Sequence, residues 1–232
     1  MKNFINLLKI VFLNIKFQFR FKKTYTQYGE DLIIKNYLLN YKKIRNGKYL
    51  DIGAYHPILH SNTYILHKNN YTGFCVDLED YKLKNFKFYR GNKVKLIKGA
   101  VTENKQDNEI DFYYFSRSIG EYSSVSKEFI EKRLAKLKKT YPNINYKTQK
   151  IKNIYINDLF REVGKINFLN IDVEGMNNKI LSEADLSIID PEIICIEDDD
   201  SFFIKDEKLN YFKNKGYQLV FQSGMNKIFA KI

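Results

Sequence analysis

The sequence predicts an α/β fold in which a mostly parallel sheet is covered by helices on both faces and closed by a C-terminal β-hairpin. Three observations carry that expectation. From residue 48 onward, short apolar runs alternate with helical segments roughly every 20 to 25 residues, the rhythm of right-handed βαβ units. The runs KYLDI, GFCVD, INFLNID and PEIICIE are mostly apolar and carry an acid at or next to their carboxyl ends, as suits strands buried between two helical layers. The final stretch, YQLVFQSGMNKIFAKI, reads as two strands joined by a tight Ser-Gly-Met-Asn turn.

In chain order, residues 1–23 form a basic amphipathic helix. Lys2, Lys9 and Lys16 recur on one side, and Phe4, Leu8, Val11, Ile15 and Phe19 recur at helical spacing. Lys9 and Lys16 interrupt the roughly 20 apolar residues that a membrane span needs, and no small-residue cleavage site follows. Such a helix either lies on a membrane surface as a peripheral contact or packs on the domain or a second subunit.

From residue 24 a single domain is expected. KYLDIGA is a strand ending in a turn, SNTYILHKN a short helix, TGFCVDL a strand, DYKLKNFKFY a helix and VKLIKGAV a third strand. Residues 105–160 break the rhythm and read as an irregular insertion holding EIDFYYF as a strand, VSKEFIEKRLAKLKK as a charged helix, and QKIKNIYINDLF as a strand leading into a helix. Alternation then resumes with INFLNID, GMNNKILSEA and PEIICIED. It ends with the helix DEKLNYFKNKG, for which Gly216 can supply a left-handed cap.

Bulk properties narrow the function. The 232 residues, 44% of them hydrophobic, suit one sizeable core. Cys75 and Cys195 sit inside apolar runs, and His56, His60 and His67 lack cysteine partners at zinc spacing, so neither a disulfide framework nor a metal site is expected. The net charge of +12 would attract nucleic acid, anionic lipid or an acidic glycan alike, and a Lys-rich coding bias produces the same number.

The chemistry collects at strand ends, where open α/β sheets bind ligands. Asp51-Ile52-Gly53-Ala54 closes the first strand, with Gly53 allowing a tight turn and Ser61 able to cap the next helix. Asp77 follows 26 residues after Asp51, about where nucleotide-binding folds hold ribose hydroxyls. The three glycines of a pyrophosphate cradle and the Walker pattern are both absent. Asp172 and Glu174 stand at the carboxyl end of the strand INFLNID, and strand alternation would set them on the same side, one to take a proton and one to orient an acceptor. A structural role for that pair, as a cap and a first-turn helix charge, competes with this reading. Glu197 heads an acidic run, Glu197 to Asp200, at the end of another strand and is the substrate-contact candidate.

Together YGED (28–31), YLDIGAYHP (49–57), SNT (61–63), GFCVD (73–77), NIDVEG (170–175) and PEIICIE (191–197) resemble the FkbM family of methyltransferases, from about residue 26 to the end. The resemblance implies a Rossmann-like class I fold with a seven-stranded sheet, and an S-adenosylmethionine-dependent O-methyltransferase modifying a hydroxyl of a sugar, polysaccharide or related small acceptor. Position by position it implies that Asp51, Gly53 and Ala54 line the methionine part of the cofactor and that Asp77 holds the ribose. Ala100 and Val101 would flank adenine, while Glu30 and Asn62 would close the site from the side. Here the second strand continues as FCVDLED rather than into Pro and Asn, so Glu79 is an alternative ribose contact.

As proton acceptor for the sugar hydroxyl, Asp172 ranks first, then Glu174, then His56, with His56 as readily a supporting hydrogen-bond group. No metal is expected. A base-methylating enzyme is disfavoured because no Asn/Asp-Pro-Pro-aromatic or Pro-Cys motif occurs. An RNA 2′-O-methyltransferase with a Lys base, or a non-catalytic basic membrane- or nucleic-acid-binding protein on the same fold, are the alternatives. No nucleic-acid partner is expected on balance, and the setting is expected to be cytoplasmic, at or near the inner face of a membrane.

Overall fold

The computed structural model describes residues 24–115, 122–197, 205–223 and 226–231. The amphipathic helix expected over 1–23, the acidic residues 198–200 and the centre of the hairpin turn lie outside the described residues.

Helix α1 (Glu30–Lys35) runs into a π-helical turn at Asn36–Tyr41. Then come β1 (Lys48–Ile52), α2 (Tyr64–Lys68), β2 (Thr72–Asp77), α3 (Asp80–Arg90) and β3 (Val94–Lys98). The middle of the chain holds β4 (Ala100–Thr102), β5 (Glu109–Tyr114), β6 (Ser123–Ser124), α4 (Lys127–Leu137), β7 (Lys147–Tyr155) and α5 (Ile156–Val163). The remainder is β8 (Phe168–Ile171), α6 (Asn177–Glu183), α7 (Leu186–Ile189), β9 (Ile193–Glu197), α8 (Lys205–Asn214), β10 (Tyr217–Gln222) and β11 (Asn226–Lys231). Gly216 takes φ 82° after α8, the left-handed stop its position predicts.

The main sheet has seven strands in the order β10-β11-β9-β8-β1-β2-β3. β1, β2, β3, β8 and β9 pair in parallel, and β11 runs antiparallel between β9 and β10. The strand order reverses beside β1, which pairs with β2 on one side and β8 on the other, so their carboxyl ends open a crevice.

Alternation along the strands sorts the core into two layers. Leu50, Ile52, Leu169, Ile171, Ile194 and Ile196 face α5 and α6, where Phe212 stacks on Phe229 with ring centroids 3.8 Å apart. Tyr49, Phe168, Ile193 and Cys195 face the other way, against Ile34 and Leu38 and against Leu66 and Phe86 of α2 and α3. Both cysteines are buried and free.

VKLIKGAV, expected as one strand, is two. β3 pairs with β2, whereas β4 leaves the main sheet and pairs in parallel with β7. Gly99 makes the transfer: its amide donates to the Asp77 carbonyl at 3.2 Å, and a Cβ there would come 2.5 Å from Ile154 Cδ1. The stretch read as irregular is therefore an ordered second sheet of order β4-β7-β5-β6, with α4 packed on it. Among the described residues, no helix is long and apolar enough to cross a membrane.

Candidate functional site

A cavity of about 870 Å³ opens at the carboxyl ends of the central strands. Of the residues singled out from sequence, Glu30, Gly53, Asn62, Asp77, Ala100, Val101, Asp172, Glu174 and Glu197 line it, although they lie as far apart in the chain as positions 30 and 197. Asp51, Ala54 and His56 do not.

Asp51 stands behind the cavity because alternation gives it the same face as Tyr49, toward α2 and α3. Its carboxylate accepts from Thr63 Oγ1 at 2.6 Å and Asn170 Nδ2 at 2.9 Å. Burial pushes its pKa up, while Thr63, Arg90 and Asn170 pull it back. Arg90, 3% exposed, anchors the network: its guanidinium donates to the Pro57 carbonyl, Ser61 Oγ, Thr63 Oγ1 and Tyr49 Oη at 2.6 to 3.0 Å. The loop after β1 is thus clamped from beneath. Ser61 Oγ also accepts from the Tyr64 amide at 3.2 Å, but the cap position of α2 is Thr63, whose side chain makes no cap hydrogen bond, so Ser61 is not the cap its position predicted.

Above this floor the backbone turns sharply. The amides of Gly53 and Ala54 both donate to the Val76 carbonyl at 3.0 Å. Gly53 has φ 83°, and a Cβ there would lie 1.7 Å from the Asp172 carbonyl oxygen, so only glycine fits. His56 Nδ1 accepts the amides of Ile58 and Leu59 at 3.1 and 3.0 Å, which braces the same loop. Asn62 donates to Asn170 Oδ1 at 2.9 Å, and its own buried Oδ1 has no hydrogen-bond partner among the described residues. A buried orphan acceptor beside a cavity is the mark of a ligand contact.

One end of the cavity is acidic. Asp172 follows β8 rather than belonging to it, and Glu174 takes φ 40°, so alternation does not govern this pair as expected; a loop turn brings both to the cavity instead. The Asp172 carboxyl is raised well above its ordinary value by burial, then by the charges of Glu197 and Glu174, a side-chain hydrogen bond with Glu197, and Asp51. Asn177 Nδ2 donates to Glu197 at 3.4 Å. Glu30, by contrast, is held ionised. Burial alone would raise its pKa, but donors from Asn226, its own backbone, Thr26 and Ser223 together bring it below the ordinary value.

At the other end lies Asp77, whose burial raises its pKa to about 7 against the pull of Lys82, 4.0 Å away, and the Glu79 amide at 2.8 Å. Glu79 does not line the cavity; it accepts from Lys82 at 3.0 Å and Ser123 Oγ at 3.1 Å. The second sheet supplies the remaining wall through Tyr122, the two serines of β6 and α4. Ser124 Oγ donates to the Glu174 carbonyl at 2.6 Å, and Ser126 caps α4 by accepting the Phe129 amide. Sequence reading passed over Arg90, Thr63 and these serines. Among the described residues, no cluster of His, Cys, Asp and Glu could hold a metal ion.

The cavity therefore offers an ionisable carboxylate at the end of β2, an orphan amide oxygen, close backbone approach, and the Asp172–Glu197 carboxyl pair. That donor set suits a nucleoside-bearing cationic ligand. No curated protein matches the chain. Among solved structures it resembles a TehB-like SAM-dependent methyltransferase from Corynebacterium glutamicum, with 11% identity, 94% of this chain and 97% of that one covered, and TM-score 0.44. It also resembles a precorrin-6y C5,15-methyltransferase from Geobacter metallireducens (12%, 90% and 92%, 0.41). A third is a SAM-dependent methyltransferase from Geobacter sulfurreducens in complex with S-adenosyl-L-homocysteine (11%, 86% and 68%, 0.42). The profile of the methyltransferase FkbM domain matches residues 51–219, from the buried aspartate of β1 into β10. The chain belongs to the FkbM methyltransferase family.

Proposed function

We propose that the enzyme methylates a hydroxyl group of a sugar, a polysaccharide or a related small-molecule acceptor, working in the cytoplasm on material for polysaccharide biosynthesis. The observation that carries the hydroxyl acceptor is the Asp172–Glu197 carboxyl pair inside the cavity, because an alcohol needs a proton acceptor before it can attack a methyl group. The cofactor supplies a methyl group on a sulfonium whose positive charge disperses as transfer proceeds.

In this reading Asp77 accepts hydrogen bonds from the cofactor's ribose, and Ala100 and Val101, at the start of β4, flank its adenine. Gly53 lets the backbone approach the methionine moiety. Asn62 Oδ1 and ionised Glu30 are acceptors for its ammonium group. Asp172, when ionised, takes the acceptor's proton, and its raised pKa makes it a stronger base than an ordinary carboxylate. Glu197 and Glu174 orient the hydroxyl. His56 holds the loop through its Nδ1 and takes no part in the proton transfer. Positioning of oxygen and methyl group supplies the rest of the rate.

A thermal-shift titration with S-adenosylhomocysteine tests the cavity assignment, with NAD and ATP as controls. Ligand at about 100 times its dissociation constant stabilises the fold by roughly 2.7 kcal/mol. A shift for this ligand alone, followed by S-adenosylhomocysteine release with sugar acceptors, supports the reading; no shift at millimolar ligand overturns it.

A further inference from the structure

The inner cavity is acidic, yet the helix that forms its outer wall is not. Lys132, Arg133 and Lys136 of α4 all line the cavity. Lys132 is paired with Glu128 at 2.6 Å, and Lys127, on the same helix, with Glu131 at 3.8 Å. Arg133 and Lys136 have no ion pair among the described residues. Arg133 lies over the Tyr122 ring, 3.9 Å from its centroid, and 5.5 Å from that of Phe129. Stacking occupies the face of a guanidinium and leaves its in-plane donors available, an arrangement suited to receiving a carboxylate or phosphate edge-on.

Geometry ties these cations to the reacting end. A Cβ on Gly175 would come 2.9 Å from Phe129 Cβ, so the first turn of α4 sits directly on the loop that carries Glu174. Residues 129, 133 and 136 share one helix face, and the two cations follow Phe129 at about 6 Å and about 10 Å along the axis. An acceptor bridging both regions must present a neutral hydroxyl to the carboxylates and a negative group to α4, because the reverse orientation sets like charges together.

On the reading that the acceptor is a sugar hydroxyl, we infer that the acceptor is an anionic sugar, with a carboxylate or phosphate on or beside the ring that is methylated, received by Arg133 and Lys136. The two residues fix which hydroxyl faces Asp172, so they are specificity determinants.

The test measures binding to the full chain saturated with S-adenosylhomocysteine, using methyl glucoside, methyl glucuronide and glucose 1-phosphate as probes, by calorimetry. The wild type is compared with the double variant Arg133→Gln/Lys136→Gln; Arg133 is half-buried and Lys136 exposed. The expected result is that at least one anionic probe binds about tenfold or more tightly than methyl glucoside and that the advantage disappears in the variant, since each charged hydrogen bond contributes about that factor. Glucuronide against phosphate tells which anion is recognised. Equal affinity for all three, an advantage that survives in the variant, or no saturable binding of either anionic sugar at millimolar concentration overturns the inference. So does a short single-stranded RNA that binds through Arg133 and Lys136 where the sugars do not. Failure of S-adenosylhomocysteine itself to bind would instead remove the cavity assignment beneath it.

Discussion

Asp77 offers the sharpest test of the cofactor site, because its two roles have opposite signs. In the free protein burial raises its pKa to about 7 from an ordinary 3.8. A carboxylate that accepts hydrogen bonds from ribose hydroxyls must be ionised, so below that pKa binding has to expel a proton. The dissociation constant for S-adenosylhomocysteine should then be flat above about pH 7.5 and weaken by up to tenfold per pH unit below about 6.5. Asp77→Asn keeps the shape and removes the charge. At pH 8 it should weaken binding at least tenfold, the loss of one or more charged hydrogen bonds of about 1.5–3 kcal/mol each. Near pH 5.5 wild type and variant should converge. Stability of the unliganded protein moves the other way. The folded pKa lies above the unfolded one, so burying the charge destabilises the fold increasingly as pH rises from about 4 to about 7, by at most about 4 kcal/mol. The free variant should accordingly resist urea better than wild type at pH 8, and that advantage should vanish toward pH 4. Calorimetric titration across this range, with urea melts alongside, decides the matter. A wild-type affinity independent of pH, or a variant that binds as tightly at pH 8, refutes the reasoning.

Further expectations concern the rest of the site. Asp172→Asn should lower methyl transfer by about 10²-fold or more while leaving S-adenosylhomocysteine affinity nearly unchanged, as single-turnover and binding measurements would show. Glu197→Gln removes the nearest like charge from Asp172, so the acid limb of the pH–rate profile should move to lower pH; an unmoved limb would assign the proton to another group. Gly53→Ala sets a methyl group into the Asp172 carbonyl at a strained backbone angle and should cost more than about 3 kcal/mol, read as a large drop in melting temperature. Arg90→Gln strands buried oxygens of Pro57 and Ser61 and should shift the urea midpoint by the equivalent of more than about 3 kcal/mol, although Arg90 does not line the cavity. Unchanged stability in that variant would mean the loop is held some other way.

Much of this architecture is written in local pattern. Buried parallel strands announce themselves by short, mostly apolar runs, and the acids at their carboxyl ends mark the edge where the cavity opens. Alternation shows that Tyr49 and Asp51 share a face and that Leu50 and Ile52 share the other. It does not say which face meets the cavity, because that depends on where α2 and α3 dock. Glu174 escaped the alternation rule because β8 stops at Ile171 and the chain turns. Ser123 and Ser124 were illegible for a different reason: their partners, Glu79 and Glu174, are 44 and 50 residues away. Arg90 did leave a trace. The chain has 39 basic residues of which only six are arginine. Where composition favours lysine, an arginine tends to stand where a planar fork is needed, and both Arg90 and Arg133 stand at such places.

The passage of the chain between its two sheets at Gly99 has an evolutionary consequence. Residues 103–152 leave the main body from β4 and return through β7, and these strands lie side by side in parallel register, Ala100 opposite Asn153 and Thr102 opposite Tyr155. β4 and β7 are neighbours, about 5 Å apart as paired strands are, so both ends of this excursion are anchored in one ladder. A segment anchored in that way can be lengthened, shortened or exchanged at little entropic expense to the body that holds it. Tyr122, Arg133 and Lys136 lie within this excursion; Gly53, Asp77 and Asp172 lie in the main body. Grafting the 103–152 segment of one relative onto the body of another should thus transfer the acceptor preference and leave the methyl-donor site untouched, and a family built this way can diversify its substrates without re-inventing its chemistry.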